Sequence, residues 1–237
     1  MQSLISLTFD DGLRCQFENA VPILDSHGMP ATFFLTANRE STHESWYGHT
    51  DDWWKIDWRE DDIASLRSLI NHGHEVGSHS LTHHIQKMQV NPQAEACQSK
   101  ELIEGWLGTK ITSFCYPYCS SHSYLADAVK NAGYQQARAG DRGSYYPVHA
   151  AQSCDRFNVD SRLVQPNENV SEWLRPGHWH VLMFHAIGDQ RDGWAPISVG
   201  QFSALMAELA KYRDGGTVEI LPFGCAVERL DAQNCDA

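Results

Sequence analysis

Two adjacent carboxylates follow the first apolar stretch of the chain. Asp10 and Asp11 come directly after residues 4–9 and precede Gly12, which allows the chain to turn sharply. Because consecutive side chains can point in different directions, one carboxylate could bind a metal ion while its neighbour takes up a proton. The alternative is an ordinary turn, since Asp and Gly are common in turns.

Two histidines, His79 and His83, lie four residues apart after residues 75–78, which are predicted to form a strand. On one turn of a helix this spacing would bring both imidazoles to a single cation. With one carboxylate they would form a site with open positions, which suits zinc or another divalent transition metal. A water molecule in an open position could then be activated for hydrolysis. Surface histidines are the alternative explanation of the pair.

Two further apolar stretches end in residues that could take part in catalysis. Residues 114–119 read Phe-Cys-Tyr-Pro-Tyr-Cys, in which Pro117 would fix the backbone. A following amide, such as that of Tyr118, could then face a developing oxyanion. His185 follows the apolar residues 182–184 and is interpreted either as a general acid or as a hydrogen-bonded structural residue.

The elements that must position these residues alternate along the chain. Short apolar runs predict strands at residues 4–9, 31–35, 75–78, 113–116, 134–137, 181–184 and 217–221. Helical patterns lie between them, the clearest at 60–72, 91–107 and 199–212, whereas 140–166 is predicted to be mostly irregular. Such repeats predict one α/β domain over 1–237 with a parallel sheet, open or closed into a barrel. Catalytic residues of barrels lie at the C-terminal ends of strands, where these motifs fall.

Composition excludes several classes of partner. The 237 residues include 18 Lys and Arg against 30 Asp and Glu, a net charge of −12, which argues against nucleic acid and anionic membrane surfaces. No run approaches the roughly 18 apolar residues of a membrane span. The first residues lack the pattern of a secretory signal, which favours a cytoplasmic location. Seven scattered cysteines without a Cys-x-x-Cys pair favour reduced thiols over a structural zinc site.

The joint order of the motifs resembles the polysaccharide deacetylase family, also called the NodB-homology domain or carbohydrate esterase family 4. The resemblance rests on TFDDG at 8–12, HSLTH at 79–83, the Tyr-Pro-Tyr turn at 116–118 and the apolar strand ending in His185, and it extends from Leu4 to about Leu221. It implies a distorted or incomplete (β/α) barrel. It also implies a metal-dependent hydrolase that removes N-acetyl or related acyl groups from a carbohydrate.

The resemblance also implies a role for each motif residue. Asp10 would be the general base, and Asp11 would bind the metal together with His79 and His83. His185 would be the general acid that protonates the leaving group. The metal would be zinc, with cobalt or nickel as alternatives.

The third motif departs from the usual family pattern. An arginine that pairs with the catalytic base often begins this motif, and Cys115 stands in its place, as in a branch of the family with a FAYPYG-like turn. We expect another cation to replace that arginine. Arg162 is the first candidate and Arg138 the second, with a surface salt bridge as the alternative for Arg138.

Other residues are expected to contact the substrate. By the resemblance, Pro117 and Tyr118 would supply an oxyanion-hole amide and part of the substrate groove. Trp194, in the turn after the last motif, would close the acyl pocket. The Trp-rich segment 46–58 is interpreted as a lid or sugar-stacking surface, with a local hydrophobic core or an oligomer contact as alternatives.

Two other functions remain open from the sequence. One is an amidohydrolase of the same fold that acts on a small non-sugar amide, imide or formyl group. The other is a catalytically silent carbohydrate-binding domain that uses the same groove. The presence of both aspartates and all three motif histidines argues against a metal-free or silent protein. The sugar, the acyl group and the oligomeric state are not predicted.

Overall fold

The computed structural model of the chain describes residues 2–38, 58–141, 146–147 and 155–235. Its strands are β1 (Ser3–Phe9), β2 (Thr32–Leu35), β3 (Glu75–Ser78), β4 (Ser113–Cys115), β5 (Gln136–Asp141), β6 (Tyr146–Pro147), β7 (Val159–Leu163), β8 (His178–Phe184) and β9 (Val218–Ile220). Its α-helices are α1 (Val21–Ser26), α2 (Glu60–Asn71), α3 (Ile85–Val90), α4 (Pro92–Leu107), α5 (Ser123–Asn131), α6 (Val199–Asp214) and α7 (Phe223–Cys235).

Seven parallel strands close into a ring. Their order is β1-β2-β3-β4-β5-β7-β8, and β8 pairs back with β1, residues 179–184 lying beside residues 4–9. The short β9 pairs only with the first half of β1, and β6 pairs antiparallel with the start of β8. The expected (β/α) barrel is confirmed, and it departs from an eight-stranded barrel because β9 covers only three residues of β1.

Alternation along the strands separates an inner from an outer apolar cluster. The outer cluster includes Phe9, Phe33 and Phe184 with Phe202 of α6. The inner cluster takes residues from several ring strands and from one helix: Leu4, Phe34, Cys115, Val159, Trp179, Val181, Phe223, Ala226, Val227 and Leu230. Because the last four of these belong to α7, this helix packs against the side chains inside the ring.

A polar network joins α7 to the first residues of the ring strands. The Glu75 carboxylate accepts hydrogen bonds from Thr32 Oγ1 (2.8 Å), Ser113 Oγ and the Gly224 amide (2.8 Å). Thr32 Oγ1 in turn accepts from the Phe223 amide at 2.8 Å. Burial raises the pKa of Glu75, and the three donors lower it in part. The α7 end of the barrel is therefore closed by packed and hydrogen-bonded groups.

The main difference from the predicted elements lies at residues 140–166, where the structure has β7. Its sequence, Val-Asp-Ser-Arg-Leu, carries three polar residues and therefore lacks the apolar run that predicts a strand. Ser161 is buried in this strand and accepts a hydrogen bond from the buried side chain of Arg138. The strand is thus stabilised by a polar interior contact that hydrophobicity does not reveal.

The interpretation of segment 46–58 as a lid or stacking surface lies outside the described residues apart from Trp58. The Trp58 indole donates to the carbonyl oxygen of Thr36 at 3.0 Å and packs against Phe17 and Trp106. Trp58 itself therefore has a packing role beside β2. None of the described helices is both long enough and apolar enough to span a bilayer.

Candidate active site

The motif residues converge at the C-terminal end of the barrel. Asp10 and His185 follow the neighbouring strands β1 and β8, and the Asp10 amide donates to the carbonyl oxygen of Phe184 at 3.0 Å. Gln16 Nε2 donates to the carbonyl oxygens of Asp10 (2.6 Å) and His185 (2.9 Å). Gln16 is fully buried and ties the two strand ends together, a role that no sequence pattern indicated.

Asp11, His79 and His83 form a compact donor set. Asp11 Oδ1 lies 3.8 Å from His79 Nε2 and 3.6 Å from His83 Nε2. Ligand atoms of the three residues all lie within 4.8 Å of one another. Tetrahedral ligands bound at about 2.0–2.1 Å are roughly 3.3 Å apart, so small side-chain movements would bring this set onto one zinc ion.

The tautomer of His79 also suits metal binding. Its Nδ1 lies 2.9 Å from the carbonyl oxygen of Cys115, an acceptor, so the proton is on Nδ1 and Nε2 presents its lone pair to Asp11 and His83. Burial lowers the pKa of His79, which favours this neutral form. The residues therefore fit a divalent transition metal.

The predicted helical turn between His79 and His83 is wrong. Ser80 and His83 both have left-handed backbone, with φ of 71° and 56°, and α3 begins only at Ile85. The two imidazoles nevertheless meet, their ring centroids being 4.9 Å apart. A tight irregular turn thus brings the histidines together where a helix was expected.

Asp10 is paired with a buried arginine. The Arg138 guanidinium, 0% exposed, donates from Nη2 to Asp10 Oδ2 and to Cys115 Sγ (2.6 Å). Burial by itself would lower the pKa of Arg138, but the Asp10 carboxylate and the nearby thiols raise it above its ordinary value. The other oxygen, Asp10 Oδ1, is buried and has no hydrogen-bond partner among the described residues.

The structure pairs Arg138, and not Arg162, with Asp10, so the expected order of the two candidates is wrong. Arg162 Nη2 pairs with Glu168 at 3.1 Å. It follows Ser161, whose side chain faces Arg138 inside the barrel, so Arg162 points to the opposite face of β7. Arg138 lies directly beside Cys115 in the β4–β5 register. The surface salt bridge considered for Arg138 is likewise wrong.

His185 completes the buried group on the other side of Asp10. Its Nε2 lies 3.8 Å from Asp10 Oδ2, and burial lowers its pKa, with opposing effects from Asp10 and Asp11. The Trp194 ring stands edge-on to the imidazole with a centroid distance of 4.5 Å. Trp194 is 39% exposed whereas His185 is 7% exposed, so this contact lies at the edge of the buried group.

The Tyr-Pro-Tyr turn packs against the donor set. The Tyr118 hydroxyl donates to the carbonyl oxygen of His83 at 2.9 Å, and the two rings lie 4.6 Å apart. Pro117 is buried at the start of this turn, in which Tyr118 and Cys119 both have positive φ. Gly140 allows the arrangement, since a Cβ there would lie 2.7 Å from the Cys119 carbonyl oxygen.

The residues on this face can support hydrolysis. A carboxylate with one unengaged oxygen, a buried imidazole and a donor set that fits a metal ion lie within one cluster. Such groups can respectively accept a proton, donate a proton and hold an activated water. Arg162 is the predicted site residue that the structure does not bring into this cluster.

Comparisons with known proteins concern the family and the fold of the chain. The family model described as polysaccharide deacetylase matches residues 1–137. A gellan lyase from Bacillus sp is 30% identical over 215 residues, which is 75% of this chain and 8% of that protein. A putative polysaccharide deacetylase, YxkH, from Bacillus subtilis (strain 168) is 25% identical over 154 residues. That match covers 61% of this chain and 50% of YxkH, so the chain spans half or less of both curated relatives.

A solved structure shares the fold. The Xyl-CE4 domain of a multidomain xylanase, from the hindgut metagenome of Trinervitermes trinervoides, superposes with a TM-score of 0.59 at 17% identity. The match covers 97% of this chain and 91% of that domain. With the family model matching more than half of the sequence, the chain belongs to the polysaccharide deacetylase family, the NodB-homology domains of carbohydrate esterase family 4.

Proposed function

We propose that this protein is a metal-dependent hydrolase that removes N-acetyl or related acyl groups from a carbohydrate. The observation that supports it most is the set of buried Asp11 and His79 with half-buried His83, directly beside the Asp10–Arg138 pair. A divalent ion held by the set, zinc by its donor types, would lower the pKa of a bound water towards ~7 and polarise the acyl carbonyl.

Asp10 is the proposed general base. Arg138 engages Oδ2 and so fixes the plane of the carboxylate, while Oδ1 remains to accept the proton of the attacking water. Gln16 holds the backbone of Asp10 against that of His185. The base is therefore oriented through both its side chain and its main chain before substrate binds.

His185 is the proposed general acid. An amide nitrogen leaves readily only when it is protonated, and a positioned imidazole can supply that proton once it has itself taken one up. Trp194 packs against the imidazole and would form an apolar wall for a small acyl group. Pro117 and Tyr118 would place a backbone amide near the oxyanion, as the family resemblance implies.

The proposal is tested by acetate release from N-acetylated and O-acetylated oligosaccharides. We expect the zinc-loaded wild type to release acetate, with Asp10→Asn reduced by at least about 100-fold because the proton acceptor is lost. His79→Ala should lose both zinc and activity, whereas Asp10→Asn should keep its zinc. Asp127→Asn, an exposed carboxylate on α5, is the control and should match the wild type. Full activity of both Asp10→Asn and His79→Ala would refute the mechanism.

A further inference from the structure

The turn that carries His83 needs support from outside itself. Ser80 and His83 both adopt a left-handed backbone conformation, which residues other than glycine rarely hold without external contacts. One internal bond, from the His83 amide to Ser80 Oγ at 3.0 Å, stabilises the turn. The Tyr118 hydroxyl holds the His83 carbonyl from the opposite side.

The residues that follow β2 contact the turn only before Thr82 among the described hydrogen bonds. The Ala37 amide donates to the Ser80 carbonyl oxygen at 3.1 Å, and the Asn38 amide donates to that of Leu81 at 2.6 Å. These bonds secure the first half of the turn. The position of His83 also depends on the residue that directly precedes it, Thr82.

Thr82 is held by a buried carboxylate on α4. Glu95 Oε2 accepts from the Thr82 amide at 2.9 Å, and Glu95 Oε1 accepts from Thr82 Oγ1 at 2.7 Å. The two residues are only 3% and 7% exposed. Both carboxylate oxygens therefore engage one residue, and bonds to a charged acceptor are stronger than neutral ones.

We propose that Glu95 is a positioning residue for the metal site, acting on His83 through Thr82. This inference rests on the proposed metal-dependent function. The carboxylate fixes the main chain and side chain of Thr82, and so limits the directions in which the next residue can point its imidazole. Replacing a group that orients a metal ligand without itself binding the metal typically changes metal affinity by about 10–100-fold.

The test is zinc affinity, measured by chelator competition with the full chain at one pH, together with the visible spectrum of the cobalt-loaded protein. In Glu95→Gln the amide can accept only one of the two Thr82 bonds, so we expect roughly tenfold or more weaker zinc binding and an altered cobalt spectrum. Glu101→Gln, an exposed carboxylate on the same helix, is the matched control and should behave as wild type.

A second pair of variants isolates the contact if Glu95→Gln does not fold. Thr82→Ser keeps the hydroxyl and should retain wild-type zinc affinity and spectrum, whereas Thr82→Val removes it and should weaken binding. A merely stabilising role for Glu95 would lower the unfolding temperature without changing the cobalt spectrum. Wild-type affinity and spectrum in a folded Glu95→Gln, or no difference between Thr82→Val and Thr82→Ser, would overturn the role of Glu95 and leave the proposed function standing. Failure of the wild type to bind zinc would overturn the proposed function as well.

Discussion

At the residue scale, left-handed backbone is concentrated at the candidate site. Five non-glycine residues there have positive φ: Asp11 (76°), Ser80 (71°), His83 (56°), Tyr118 (55°) and Cys119 (58°). Such conformations cost on the order of 1–2 kcal/mol per residue and persist where the surroundings enforce them. In the two turns at 80–83 and 118–119, the hydrogen bonds of Glu95 and Tyr118 and the space left by Gly140 do so. The site is therefore held in place by its neighbours.

The pairing of Arg138 with Asp10 leads to a prediction at the same scale. Arg138→Cys should reduce kcat/KM for deacetylation by about 100-fold or more, roughly 2.7 kcal/mol, because Asp10 loses the partner that orients it. In the double variant with Cys115→Arg, the guanidinium would return from the adjacent strand position, and we expect at least about tenfold recovery. Acetate-release kinetics on folded protein measure both.

The control for this pair is Arg162→Met, since Arg162 pairs with Glu168 and not with Asp10. We expect its kcat/KM to stay within about threefold of wild type. An Arg138→Cys variant with wild-type kinetics would show that the pairing does not orient the base.

At the element scale, β8 connects two buried histidines. His185 follows its C-terminal end, and His180 lies near its start. His180 is 3% exposed, and burial lowers its pKa to about 4, with the positive charges of His178, Arg175 and Arg162 adding to the shift. The folded protein therefore keeps His180 neutral at pH values where the same imidazole would be protonated in the unfolded chain. Protonation of this imidazole at low pH would therefore lower the free energy of unfolding.

The sign of the pH dependence follows from that lowered pKa. The contribution of His180 is fully present above about pH 6.5 and is lost as the pH falls from there towards 4. Between pH 7 and pH 5 we expect a loss of roughly 2 kcal/mol in the free energy of unfolding that His180→Gln does not show. Urea unfolding at the two pH values measures it. His122→Gln, at an exposed position, should lose as much stability as wild type, and an equal loss in His180→Gln would contradict the account.

The individual elements and their residues differ in how well the sequence predicts them. The motif residues were expected at one end of the barrel because each follows a predicted strand, and parallel strands bring their C-terminal ends to one edge. Arg138 was ranked below Arg162 because that choice depends on strand register, and β7 has no apolar run to reveal its register. The turn at 79–83 was taken for a helix because spacing alone does not report the φ of Ser80 and His83. Gln16 and Glu95 act through tertiary contacts, which have no local pattern.

At the scale of the whole molecule, the two ends of the barrel have different roles. The C-terminal strand ends carry the candidate site, and α7 with the Glu75 network closes the opposite end. Phe223 is fully buried there, its ring 5.9 Å from Phe34 and 5.7 Å from Trp179. This division is common in (β/α) barrels, in which one face serves chemistry and the other stability.

That division predicts a stability effect without a catalytic one. Phe223→Ala should lower the free energy of unfolding by about 3–5 kcal/mol, since it leaves a cavity between α7 and the strands. Its kcat per folded molecule should match wild type, because the site lies at the other end. Urea unfolding and acetate release, each corrected for the folded fraction, measure the two quantities. A kcat reduced by tenfold in fully folded protein would show that the ends are coupled.

We propose that Asp11, His79 and His83 bind one divalent ion on which hydrolysis depends. Titration of chelator-stripped wild type with zinc, following bound metal and acetate release in the same samples, tests this dependence. We expect that activity is absent in the stripped protein and rises linearly to a plateau at one zinc per chain. Full activity in protein shown to be metal-free, or an activity that does not follow zinc binding, would contradict it.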